Sequence, residues 1–254
     1  VLGSVGVMLA GGGALGQLML AWPNWCGTLA MALGIFAVCA TSPQMLFTLN
    51  TWIVAGLLVA ALVTVVSLWS DPPAGVTTAN APLAVPSLVP ASWHGAAVVY
   101  ATGNLVLTIP LLASMGRRLR QRRHTAVVAA VTGGCLLLLA LVIAATLARN
   151  APFTSHLPML ELAARSSTGL GGLYAAGLWL AILSTGVSSA YALIERLREA
   201  VHVSRTALSA LVVAAALPVG AFGFAQLIGI VYPLIGYLGC ALLVVFAVRL
   251  PPPG

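Results

Sequence analysis

The sequence predicts an all-α polytopic membrane protein, with about eight transmembrane helices in a single domain that covers residues 1–254. Of the 254 residues, 61% are hydrophobic and 6% are charged, and the mean hydropathy is +1.08. A soluble domain carries roughly 25% charged residues. A chain with so few charges cannot cover a water-facing surface, and lipid is therefore its expected solvent.

Eight apolar segments are long enough to cross a bilayer, since about 20 apolar residues span its hydrocarbon core as a helix. Irregular backbone is excluded from lipid, so polar and proline-containing breaks mark the boundaries. "WPNW" separates the first two segments, and "TSPQ" separates the second from the third. The last boundary is the least distinct, because Pro218, Gly220 and Gly223 interrupt a nearly continuous run. The predicted spans are 2–21, 25–42, 47–69, 93–115, 125–148, 172–195, 205–222 and 224–248.

Arginine placement predicts the orientation, because short loops rich in arginine stay on the cytoplasmic side. The basic loops 116–124 and 196–205, with Arg249, carry nine of the eleven basic residues, whereas only Arg149 and Arg165 fall on the other side. We expect a multi-pass protein of the cell (cytoplasmic) membrane with both termini in the cytoplasm. This topology accounts for the net charge of +7, so nucleic acid is not an expected partner. Membrane lipid is an expected partner, because basic loops also bind anionic lipid headgroups.

Two longer segments are predicted to lie outside. Residues 70–92 contain five prolines and form an extended external loop. In the external loop 149–171, "HLPMLELAARS" predicts a short interfacial helix with Leu157, Leu160 and Ala163 on one face. This helix is either a lid or a connector that lies on the membrane surface.

The sequence offers no pattern typical of an enzyme or of a bound metal. All basic residues are arginine, and the absence of lysine excludes a Walker A lysine and a Schiff base. HExxH, CxxC and GxSxG motifs are also absent. The four cysteines are far apart in apolar segments and are expected to be buried thiols. We therefore expect neither catalysis nor a metal site.

The fourth span contains a candidate helix break. Tyr100, Thr102, Gly103 and Asn104 lie near its centre, followed by Pro110. Glycine is conformationally free, Asn and Thr compete for backbone hydrogen bonds, and proline cannot donate one. Transporters often bind substrate where a membrane helix is interrupted, so these four residues are the candidate substrate-binding site. A gently kinked helix is the alternative.

The sixth span contains a cluster of hydroxyl groups. Ser184 and Ser188 are four residues apart on one helical face, and Thr185 is a helical neighbour of Ser188. Hydroxyl and carbonyl oxygens are suitable ligands for hard cations such as Na⁺. The competing explanation is that these hydroxyls bond to carbonyls of the previous turn or bridge helices.

The order of motifs along the chain carries a family resemblance. "GVMLAGGGALGQLMLAWPNWCGTLAMALGIFAV", "VVYATGNLVLTIPLLASMG", "LPMLELA", "LWLAILSTGVSSAYAL" and "VYPLIGYLG" follow one another. This series resembles YkvI-type membrane proteins of the amino acid-polyamine-organocation-like secondary transporters with the LeuT inverted-repeat fold. The eight spans then correspond to helices 3 to 10, so that the first two helices are expected to be missing from this sequence, as in a fragment or a degenerate relative.

The resemblance also assigns roles to residues. It implies that the Tyr100 to Asn104 region is the broken sixth helix of that fold, and that Ser184 and Thr185 form the sodium site of its eighth helix. The family pattern tends to have two threonines there, and Ser184 preserves the oxygen. The four acidic residues fall in loops or at span ends, which favours Na⁺ over H⁺ as the coupling ion.

The expected function is therefore secondary active transport of a small solute, an amino acid or an amine, by alternating access. Sodium is the one cofactor candidate, and the solute and membrane lipid are the expected partners. The alternative is a non-transporting, receptor-like or degenerate subunit of the same fold, which binds a solute without net flux.

Overall fold

The computed structural model describes residues 1–41, 44–70, 88–115, 122–151, 153, 155, 157–201 and 203–249. Within these ranges the regular structure is helical and no strand occurs, so the all-α prediction is confirmed at this level. The helices are α1 (Leu2–Leu20), α2 (Asn24–Ala40), α3 (Gln44–Ser70), α4 (Trp93–Met115), α5 (Arg122–Asn150), α6 (Pro158–Ser166), α7 (Thr168–Ala200), α8 (Arg205–Gly220) and α9 (Phe224–Arg249).

Several of these helices are suited to cross a membrane. In the described part of the chain, five segments are long and apolar enough: Leu2–Leu20, Trp52–Trp69, Thr125–Asn150, Thr168–Ala200 and Phe224–Phe246. The helices α2 and α8 are also apolar but have only 17 and 16 residues. The chain thus has the helices of a multi-pass membrane protein, and five of the eight predicted spans meet this criterion.

Helix α1 lies at the centre, in contact with α2, α7, α8 and α9. Its glycines face these neighbours: Gly12 packs on Met31 of α2, and Gly6 packs on Val219 of α8. Small residues let two helices approach closely. Around α1, large side chains with less than 2% exposure fill the space between α2 and α7, among them Met31 and Ile35.

Contacts between the helices fix their relative directions. Helix α1 is antiparallel to α2, because Gly12 lies against Met31 while Gly16 lies against Gly27. Helix α4 is parallel to α9, because Val99 lies against Gly236 while Thr102 lies against Gly239. Both relations agree with eight spans that alternate in direction, provided that α6 does not cross the membrane.

Burial and apolarity run in opposite directions among these helices. In the most apolar eighteen-residue segment of α1, 61% of the residues are buried and the mean hydropathy is 1.4. In Thr125–Asn150 of α5 the corresponding mean hydropathy is 2.7, and none of those eighteen residues is buried. Among these five helices, the one with the highest mean hydropathy is therefore the least buried.

The predicted short helix is present as α6, and its apolar face packs against α3 and α7. Pro158 occupies its first turn, where its missing N–H is not needed. Leu160, Leu162 and Ala163 are at most 1% exposed, and they pack with Tyr174 of α7. Four of its nine residues are buried because the helix inserts between α3 and α7.

The predicted loops 149–171 and 196–205 are shorter than expected. Helices α5 and α7 extend into them, and α7 continues to Ala200. In the last turns of α7, Arg198 pairs with Glu195 at 3.3 Å. Arg205, the first residue of α8, also donates to Glu195, at 2.8 Å. The predicted break in the last apolar run is confirmed at residues 221–223. Most of the predicted external loop 70–92 and of the basic loop 116–124 lies outside the described residues.

Candidate functional site

The predicted break in the fourth span is not observed, since α4 is continuous from Trp93 to Met115. The reason is that Gly103 serves as a packing surface: a β-carbon at this position would lie 3.3 Å from the Gly236 Cα of α9. The Thr102 hydroxyl lies 2.8 Å from the Val98 carbonyl oxygen and 2.9 Å from the Gly236 carbonyl oxygen. Both residues therefore hold α4 against α9.

The other two candidate substrate-binding residues have exposed side chains. Tyr100 is 68% exposed, and Asn104 is exposed as well. The Asn104 amide donates to the Tyr100 carbonyl oxygen at 2.8 Å, within the same helix. The structure thus buries Thr102 and Gly103 against α9 and leaves the side chains of Tyr100 and Asn104 exposed.

The hydroxyl cluster on α7 is also divided. Ser184 is 4% exposed whereas Thr185 is exposed, because successive helical residues point about 100° apart. The Thr185 hydroxyl donates to the Ala181 carbonyl oxygen at 2.9 Å, and the Ser188 hydroxyl donates to that of Ser184, also at 2.9 Å. These contacts match the alternative explanation, in which hydroxyls bond back along their own helix.

A cavity of about 340 Å³ opens between the end of α1 and α6, at a place that sequence reasoning did not select. Leu18 and Met19 of α1 and Leu160 of α6 form part of its apolar wall. Its charged residues are Glu161 and Arg165, which lie four positions apart on α6. Such a volume lies within the usual range of small-molecule sites.

Glu161 and Arg165 form an ion pair within α6, through Oε1 and Nη2. Their side chains are only 13% and 25% exposed. The second carboxylate oxygen of Glu161 accepts the backbone N–H of Ser155 at 2.9 Å. Nη1 of Arg165 is buried and has no hydrogen-bond acceptor among the described residues. Because this atom is shielded from solvent, the unsatisfied donor does not face the open cavity, which Arg165 borders with another part of its side chain.

The sequence did contain a signal for this pair. Glu and Arg at i and i+4 are neighbours on a helix, and "ELAAR" within the predicted short helix has this spacing. The short helix was predicted, but no binding role was assigned to its charged residues. Only the position of α6 beside the end of α1 shows that this face borders a cavity.

Comparison of the chain with protein-family models, with curated proteins and with solved structures finds no match. The YkvI-type resemblance and the LeuT-type fold therefore stay predictions.

Proposed function

We propose that this protein is a secondary transporter that moves a small solute across the cytoplasmic membrane by alternating access. The observation that carries the proposal is the open cavity of about 340 Å³ with the Glu161–Arg165 pair in its wall. A pocket with a mainly apolar lining and a few polar groups is the usual form of a small-molecule site, and this ion pair supplies the polar groups. The relative directions of α1 with α2 and of α4 with α9 are compatible with the alternating spans predicted from the apolar segments.

Sodium is the coupling ion in this proposal, with Ser184 and Thr185 as its ligands. Binding of Na⁺ by Thr185 requires its hydroxyl to turn from the Ala181 carbonyl oxygen, its acceptor in this conformation. Such a rearrangement belongs to a second state of the transport cycle.

Uptake by the purified full chain in proteoliposomes tests this proposal. We expect labelled amino acids or amines to accumulate when a Na⁺ gradient is imposed and to remain at background with choline in place of Na⁺. The double substitution Ser184→Ala with Thr185→Ala should abolish the Na⁺ dependence, and Ser209→Ala, a buried hydroxyl on α8, is the matched control. Uptake that ignores both Na⁺ and the double substitution excludes the sodium site.

A non-transporting, receptor-like subunit is the second candidate function. The continuity of α4 and α7 favours it, because neither helix offers the unwound midplane backbone of many transporters. Saturable solute binding without accumulation under a Na⁺ or H⁺ gradient would establish this alternative.

A further inference from the structure

The middle of α4 carries a polar side chain that is exposed. Asn104 is the twelfth of the 23 residues of α4, so about 16 Å of helix lies on either side of it. Its side chain is exposed, although α4 coincides with one of the eight predicted spans. An exposed residue at this position lies at the depth of the hydrocarbon core, where no water satisfies its polar atoms.

The carboxamide group of Asn104 is only partly satisfied within the chain. An asparagine side chain has two N–H donors and one acceptor oxygen. One N–H donates to the Tyr100 carbonyl oxygen at 2.8 Å. In the part of the chain that the structure describes, the other N–H and the side-chain oxygen have no hydrogen-bond partner. Such groups cost free energy in lipid, so we expect this face of α4 to be covered.

Asn104 lies on the side of α4 that is opposite to α9. Among the described helices, α9 is the one against which α4 packs, through Val99 and Thr102. Since successive helical residues are rotated by about 100°, Asn104 points roughly 160° away from Thr102. The outward face of α4 consists of four residues that are all exposed, namely Ala97, Ala101, Asn104 and Thr108.

This outward face differs in chemistry from the exposed surface of α5. There, large apolar side chains such as Leu137 and Leu138 are more than 60% exposed, which suits contact with lipid. The outward face of α4 instead combines two alanines with an amide and a hydroxyl. Small residues let two membrane helices approach closely, and polar side chains hydrogen-bond between them. A second helix is therefore a better partner for this face than acyl chains are.

A second copy of the chain meets the requirement at Asn104 by symmetry. The partner must present a donor and an acceptor at the same depth in the membrane, and asparagine carries both. A two-fold axis perpendicular to the membrane brings two parallel α4 helices together, with equal residues at equal depth. Each carboxamide can then donate to the other.

We propose that the outward face of α4 is the contact surface of a symmetric dimer, in which Asn104 of one protomer hydrogen-bonds with the partner's Asn104. This inference goes beyond the proposed function, since association of two chains neither requires nor excludes transport. The α1–α6 cavity is lined from α1, from α6 and from the segment that precedes α6, so a contact through α4 leaves it accessible.

Disulfide cross-linking in native membranes tests which face is in contact. In a background with the four native cysteines replaced by alanine, Ala97→Cys and Ala101→Cys should form dimers on oxidation. Val98→Cys is the matched control, because this residue is 54% exposed at the same depth but points about 100° away from Ala97. We expect several-fold less cross-linked dimer from it. Equal cross-linking at all three positions, none at either alanine, or cross-linking only to a different protein overturns the inference.

Dilution in the bilayer measures the contribution of Asn104. Full chains with donor or acceptor dyes at the C-terminus are reconstituted into liposomes, and energy transfer is followed as the ratio of lipid to protein is raised. Asn104→Leu should weaken the dimer by about three- to tenfold, the effect of interhelical hydrogen bonds in membranes. Asn104→Gln keeps the amide and should retain more of the affinity, and Val98→Leu should leave it unchanged.

Thermal unfolding of each variant establishes that it is folded. Asn104 donates to the backbone of its own helix, so Asn104→Leu should leave the folded protomer intact. A chain that is monomeric at every ratio of lipid to protein contradicts the dimer. Association of Asn104→Leu with the affinity of the unmodified chain contradicts the role of the carboxamide.

Discussion

Several glycines in this protein mark places where helices touch, and Gly103 is one of them. Gly103 follows Thr102 and precedes Asn104, a local sequence that equally suits a hinge or a contact. The structure resolves the choice through Gly236, since Thr102 bonds to its carbonyl oxygen across 134 positions of sequence. No local pattern contains that partner, and for this reason the expected break at Gly103 was wrong.

The first prediction concerns this contact. A β-carbon at Gly236 would overlap the carbonyl group of Val99, so Gly236→Ala should lower the free energy of unfolding by about 1–3 kcal/mol through overpacking. Gly134→Ala on α5 is the matched control, because nothing lies within 4 Å of the added carbon. Its higher helix propensity should leave stability unchanged or raise it by up to about 1 kcal/mol. Thermal unfolding in detergent measures both, and equal shifts contradict the packing role.

The hydroxyl groups of α7 show a second limit of prediction from local sequence. Among the α7 hydroxyls, those of Thr185 and Ser188 bond back along their own helix, whereas Ser189 accepts a hydrogen bond from Ser4 of α1 at 2.9 Å. Residue type and spacing are the same for a ligand, a back-bonded hydroxyl and a bridge between helices. Only the neighbouring helix distinguishes them.

At the scale of elements, α6 is a helix whose existence, but not whose packing partners, could be predicted from local sequence. Its existence follows from Pro158 in the first turn and from the apolar face that includes Leu160 and Ala163. Its position depends on α3 and α7, against which its buried residues pack. The helix was predicted correctly, and its role as a lid or as a connector stays a prediction.

The second prediction is that α6 is as well protected as the helices around it. Hydrogen exchange followed by mass spectrometry should show slow exchange over 158–166. Leu162→Ala should accelerate it, because truncating a side chain with 0% exposure costs about 2–5 kcal/mol. Leu138→Ala on α5, where the side chain is 64% exposed, is the control and should leave α6 unchanged. Fast exchange of α6 in the unmodified protein would contradict its place in the core.

For the whole molecule, composition and apolar length predicted the all-helical class and most helix boundaries. These predictions succeeded because a helix in lipid must be apolar along its whole length and must satisfy its own backbone hydrogen bonds. Both requirements can be recognised from a continuous stretch of sequence. The α1–α6 cavity was not predictable, since Leu18 and Arg165 come together only through the packing of the bundle.

The third prediction concerns topology. Ala91 precedes α4 and Val203 precedes α8, so alternating spans place them on opposite sides of the membrane. In a background with the four native cysteines replaced by alanine, an impermeant maleimide applied to intact cells should label Ala91→Cys. It should label Val203→Cys only after permeabilisation. The cysteine-free parent controls for background, and labelling of both variants in intact cells rejects the eight-span arrangement.

The opposite trends of burial and apolarity have a consequence for how the protein is made. A highly apolar helix such as α5 partitions into the bilayer by itself, whereas α1, with many glycines and a mean hydropathy of 1.4, gains less from lipid. Part of its packing comes from residues much later in the chain, such as Ser189, which accepts a hydrogen bond from Ser4 across 185 positions. These contacts of α1 can form only after α7 and α8 have been synthesised.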